Sequence, residues 1–94
     1  MRRLLLPLVL AATPALASSE DAWRKFREAV LKSCETAVAG RLETPAIAVD
    51  PFGSDSYGVA IARGTSTDAK APRAIVCVYD KRRKSVETSG EFVP

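Results

Sequence analysis

Histidine is absent from this chain, and its 94 residues include two cysteines, Cys34 and Cys77, one methionine and one tryptophan. Without an imidazole there is no Ser-His-Asp or Cys-His nucleophile system, no histidine metal site and no use of the commonest general base. Two cysteines are too few for a zinc cluster, and once bonded to each other they leave no thiolate. Neither G-x-x-x-x-G-K-S/T nor G-x-G-x-x-G occurs, so no phosphate-cradling loop is expected. Gly53, Gly58 and Gly64 read instead as turn or strand-kink residues. No metal and no cofactor is expected. Internal repeats and low-complexity tracts are also missing, and no apolar run approaches the ~20 residues that span a bilayer.

What the N-terminus does carry is an export signal. Met1-Arg2-Arg3 is a short positive segment, Leu4 to Ala12 is apolar apart from Pro7, and Ala15-Leu16-Ala17 ends in small residues after Pro14. This order reads as a signal peptide over residues 1–17, cut after Ala17. Ser18 follows where a bacterial lipoprotein needs cysteine. The arginine pair lacks a polar lead-in and reads as ordinary positive charge rather than a twin-arginine signal. Removing Arg2 and Arg3 with the segment lowers the formal charge from +3 to +1, so no nucleic-acid reading rests on net charge.

Residues 18–94 then form a single small domain of a size at which one core is marginal. Two cysteines in an exported chain are most simply one internal disulfide, Cys34–Cys77, with an intermolecular bond or two free thiols as the alternatives. Arg73 to Asp80 is a continuous run of apolar, β-branched and aromatic residues, as in a strand with neighbours on both edges. Cys77 lies within it. Cys34 lies in the strongest helical pattern, where Trp23, Phe26, Val30, Cys34 and Ala37 recur every three or four residues. Arg24, Lys25, Glu28, Lys32 and Glu35 occupy the opposite side, and Glu28 with Lys32 is a favourable i,i+4 pair. Hydroxyls at Ser18 and Ser19 before Glu20-Asp21 predict the helix start, and Gly40 with Pro45 predicts its end, giving Ser19 to Ala39.

Five further segments read as strands or turns. Ala46–Val49 is a short strand, Asp50-Pro51-Phe52-Gly53 a turn and Tyr57–Arg63 a second strand. Gly64 to Pro72 reads as a mobile polar loop. After the Arg73–Asp80 strand comes a charged turn, Lys81-Arg82-Arg83-Lys84, and then a weaker strand over Ser85–Phe92 broken by Gly90. The expected fold class is α+β: one N-terminal amphipathic helix on one face of a three- or four-stranded antiparallel meander. Strands 57–90 closing on Val78-Tyr79-Asp80 and Ser89-Gly90 are similar in outline to small exported modules of the PepSY type, without a specific shared motif.

Function is read mostly by exclusion. Asp50, Asp55, Asp68, Asp80, Glu87 and Glu91 fall in turns or near the last hairpin. Two of them meeting as acid and base would make a minimal carboxylate hydrolase. Loop acids are ordinarily solvated turn formers, and so short a chain offers little room for a cleft of ~300 Å³. The protein is therefore read as a non-enzyme. Lys81, Arg82, Arg83 and Lys84 are candidate anion-binding residues, or else a solvated hairpin tip that discourages edge pairing. Trp23 reads as core packing before a binding anchor.

The expected activity is binding another protein or envelope component, as an inhibitor, an immunity-type partner or an accessory protein, in the periplasm or outside the cell. Strand parity supplies the expected surface. One residue set is large: Ile47, Val49, Tyr57, Val59, Ile61, Ile75, Cys77 and Tyr79. The other is small: Ala46, Ala48, Gly58, Ala60, Ala62, Ala74, Val76 and Val78. If Cys77 faces the helix with the whole large set, the small set is left open. Ala48, Ala60, Ala62, Val76 and Val78 are then the candidate partner interface, with a homodimer as one form of partnership.

Overall fold

Ala15–Val38 forms one helix, α1, in a computed structural model that describes residues 15–94. The expected signal segment 1–17 lies outside the described residues except for its last three. The helix begins four residues before the expected start because Ala15-Leu16-Ala17 are strong helix formers. Ser18 and Ser19 therefore lie inside it rather than capping it. Asp21 instead accepts from Arg24 and, at 3.3 Å, from Lys25. Glu28 takes the other arm of Arg24 at 3.3 Å rather than pairing with Lys32. A guanidinium presents a fork of donors and can bridge two carboxylates one turn apart, which a lysine cannot do as well. Gly40, at φ +83°, ends the helix in the left-handed conformation expected of a C-terminal cap.

Four strands follow: β1 (Leu42–Val49), β2 (Tyr57–Ser66), β3 (Pro72–Asp80) and β4 (Ser85–Thr88). They form one antiparallel sheet in the order β1-β2-β3-β4, with α1 packed on one face. The fold is the expected α+β meander, and β3 has neighbours on both edges. The helix ends before Pro45, as expected, but β1 begins at Leu42 rather than Ala46, so Pro45 sits within the strand. The register shifts between Glu43 and Ala46, and Thr44 takes φ +43°. An edge strand tolerates proline at such a bulge because the missing N–H is not needed by the ladder. Gly64 faces the bulge: a Cβ there would lie 2.7 Å from the Glu43 carbonyl oxygen. It is thus part of β2 rather than the start of a loop.

The expected loop of nine residues shrinks to Thr67–Ala71. Buried Ser66 organises it, its hydroxyl accepting from the Ala69 N–H at 2.9 Å. After Thr88 the chain leaves β4 and returns at Phe92, which forms an isolated bridge with Ala74.

The core lies between α1 and the sheet. Val30, Cys34 and Val38 meet Ala60, Ala62, Ile75, Cys77 and Tyr79, with Phe26, Ile47, Val49 and Val86 around them. Cys34 and Cys77 form the expected disulfide, with Cα atoms 5.7 Å apart. It joins the middle of the helix to an inner strand.

One expectation about the faces is overturned. Ala60 pairs directly with Cys77, Ala62 with Ile75 and Gly58 with Tyr79. Directly opposed residues share a face, so the small residues of β2 lie beneath the helix and Val59 and Ile61 point away. The reason is the disulfide. Its Cβ atoms must approach to ~3.8 Å, which draws the helix down onto the sheet, and only small residues fit under it. At Gly58 even a Cβ would come within 2.6 Å of Val30 Cγ2 and 2.9 Å of Phe26 Cζ.

Candidate functional site

The open face of the sheet is the first of two candidate surfaces. Of the five expected interface residues, Ala48 and Val78 are exposed there and Val76 is half-buried. Ala60 and Ala62 are excluded, being 2% and 0% exposed under α1. Val59 and Ile61 take their places, opposite Val78 and Val76 respectively. Ala48 continues the Ile61 row into β1, and Glu87 continues the Val78 row into β4. Tyr57 and Phe92, both well exposed, flank the patch at its two ends. Phe92 is held by two backbone hydrogen bonds with Ala74, of 2.8 and 3.0 Å. The result is a centre of four β-branched side chains with an aromatic at either end. Such a face in an antiparallel sheet is ordinarily polar. The signal for Val59 and Ile61 was present in the sequence, as the other parity of β2, but size alone pointed the wrong way.

The second surface is the turn between β3 and β4. Arg82, Arg83 and Lys84 are exposed at its tip, and Lys84 takes φ +59°. The Asp80 carboxylate closes the turn by accepting the Arg82 and Arg83 N–H groups, both at 2.9 Å. These backbone bonds, that from Arg83 first, hold the Asp80 carboxyl below its ordinary range. The turn's amides are thus satisfied within the protein, so an anion here would meet side chains alone. Lys81 is not part of the free cluster. Its ammonium donates to the Phe52 and Ser54 carbonyls at 3.1 and 2.6 Å, and lies 5.3 and 4.9 Å from the Trp23 and Phe26 ring centres. It ties the β1–β2 turn and the N-terminal half of the helix to the β3–β4 turn.

Two clefts flank Lys81, so the expectation of little room is corrected. One, of about 440 Å³, is lined by Asp55, Tyr57, Asp80 and Arg82 among others. The other, of about 540 Å³, lies between the helix and Tyr79. Both exceed the ~300 Å³ taken as the lower bound of a cleft. Asp55 and Asp80 share the first cleft, and the N–H groups of Arg83 and Arg82 favour the ionised form of Asp80. Asp50 is occupied in a turn, accepting from the Phe52 N–H at 3.2 Å. Among the described residues no three His, Cys, Asp or Glu side chains gather as a metal site, and no helix is long and apolar enough to cross a membrane. Trp23 packs edge-on against Phe26 and Phe52, with centroids 5.6 and 4.9 Å away. No family model, curated protein or solved structure matches the chain.

Proposed function

We propose that this is a small exported binding protein that is cut after Ala17, stapled by Cys34–Cys77, and engages a macromolecular partner through the open face of its sheet. The observation that carries the reading is the apolar centre of half-buried Val59, Ile61 and Val76 with exposed Val78, which no element among the described residues covers. Apolar patches of this kind favour association when buried and are unusual on the free surface of a small domain. The export reading rests on Arg2-Arg3, the apolar stretch and Ala15-Leu16-Ala17. The disulfide suits an oxidising compartment, the periplasm or the extracellular space. The partner is a protein or envelope component, with a second copy of the chain as one case. The protein is read as a non-enzyme.

The test compares oxidised wild type with Val76→Lys and Val78→Lys in sedimentation and in affinity capture from envelope extract. The substituted proteins are expected to keep the helical circular dichroism signal and the disulfide while losing association. The loss should persist in high salt, because an apolar contact is not screened. Retention of every wild-type partner by both variants would end this reading.

A second reading is favoured by Arg82, Arg83 and Lys84, which stand exposed together at one hairpin tip. The protein would then bind an anionic surface, and its association would fall steeply with salt.

A further inference from the structure

The cleft of about 540 Å³ lies away from the open face, between the N-terminal half of α1 and the β3–β4 turn. Its walls are Trp23, Phe26, Ala29 and Tyr79, and its cations are Lys25, Lys81 and Lys84. The volume falls within the range of small-molecule sites, which are mostly apolar with a few placed polar groups.

Three observations define what fits. First, the Phe26 and Tyr79 rings stand at 67° with centroids 6.4 Å apart, and Trp23 stands at 83° to Phe26. The rings therefore meet at steep angles and give the cleft apolar sides. Second, Tyr79 is only 7% exposed, and among the described residues its hydroxyl has no hydrogen-bond partner. A tyrosine hydroxyl at a cleft wall that makes no bond within the protein is free to donate to an acceptor from outside. Third, the charged groups lining the cleft are all positive. Lys81 is fixed by its two carbonyl partners, and Lys25 shares Asp21 with Arg24. Lys84 forms no ion pair among the described residues. The site is thus apolar within, with an unused hydroxyl donor and a surplus of positive charge.

We propose that this cleft binds a small anionic amphiphile, a single carboxylate on a short alkyl chain, taken up as a monomer. The chain lies against Phe26, Ala29 and Tyr79. The carboxylate takes the Tyr79 hydroxyl proton as a hydrogen bond and is drawn to Lys84. A neutral chain would leave the cations unused, and a cationic one would be repelled by them. The proposal is independent of the open sheet face, which lies on the other side of the sheet.

Trp23 is the only tryptophan of the chain and stands in the cleft wall, so its fluorescence reports occupancy directly. The experiment titrates the oxidised protein with sodium decanoate, below micelle formation, beside decanol and decyltrimethylammonium. Decanoate should give a saturable change, with decanol weaker and decyltrimethylammonium weaker still, by about tenfold or more. Tyr79→Phe keeps the ring and removes the donor, and should weaken decanoate by about threefold to tenfold. Lys84→Asn removes a charge, with a residue that accepts the left-handed backbone at this position, and should weaken it about threefold. Circular dichroism checks that both variants fold. Val76→Lys, on the open face, should bind decanoate as wild type does.

Absence of a saturable decanoate response overturns the proposal. So does equal affinity for the three head groups, or wild-type affinity in both Tyr79→Phe and Lys84→Asn. A Trp23 response to anionic phospholipid vesicles but not to decanoate overturns it in favour of membrane docking. Loss of decanoate binding in Val76→Lys would overturn the separation of the two sites.

Discussion

Gly58 shows how closely one residue can control the distance between layers. An alanine there would place its Cβ 2.6 Å from Val30 Cγ2 and about as near to the Phe26 ring. Alanine in a strand gains roughly 0.5–1 kcal/mol over glycine through the unfolded chain. The overlap costs about 1–3 kcal/mol, since Val30 is held by the core and cannot swing aside. The overlap wins, so Gly58→Ala should lower the urea midpoint at unchanged slope; an unchanged or higher midpoint would show that the helix yields freely. Asp80 acts at the same scale through charge. Its carboxyl lies below the ordinary 3.8 because it accepts the Arg83 and Arg82 N–H groups. A carboxyl depressed in the folded state contributes stability that is complete above its unfolded value and is lost as pH falls through the folded one. The turn should therefore hold at neutral pH and loosen below about pH 4. A carbon-detected titration should place the Asp80 midpoint below 3.8, with the Arg82 and Arg83 amide shifts following the same curve. A midpoint at or above the ordinary value would remove the cap.

At the scale of elements, the disulfide is the strongest tie between layers. Cys34 and Cys77 are 43 residues apart in the chain, and closing a loop of that size stabilises by about 4 kcal/mol on the chain-entropy estimate. That is a large part of the ~5–15 kcal/mol available to a whole domain. The paired variant Cys34→Ala with Cys77→Ala should melt roughly 15–30 °C lower than the oxidised protein, as followed by circular dichroism. A difference of only a few degrees would mean that packing alone holds the helix.

The elements themselves were largely legible in the sequence, since periodicity, Gly40 and the Arg73–Asp80 run each speak locally. Two features were not. Pro45 ordinarily ends a regular element, yet a bulge at a sheet edge absorbs it. The face of β2 depends on its pairing with β3, and a strand with apolar residues in both sets carries no label for which set is inside. Size puts Val59 and Ile61 inside, whereas the approach of the helix demands Gly58, Ala60 and Ala62 there. The role of Lys81 was hidden for a similar reason. Its carbonyl partners, at Phe52 and Ser54, lie 29 and 27 residues away, and nothing local distinguishes it from Arg82.

The whole molecule has two dissimilar sides. One is a sheet face with an apolar centre, reaching from Tyr57 to Phe92. The other is the helix side, where aromatic rings and lysines frame a cleft. The disulfide crosses between the layers and touches neither surface, since both cysteines are fully buried. Substitutions on one side should therefore leave the other intact, which is why Val76→Lys serves as the control for the cleft.

The strand order also sets a timetable. Every strand pairs with its neighbour in sequence, so the sheet can grow hairpin by hairpin with short loops to close. The helix comes first in the chain but has no complete floor until β3 exists, and Cys34 must wait for Cys77. That wait is safe in one respect. With two cysteines a chain has a single internal pairing, so it has no wrong crosslink to make and then undo. The only wrong partner for Cys34 is a cysteine on another molecule. Crowding of unfinished chains, rather than reshuffling within one, is where the yield of this fold is decided.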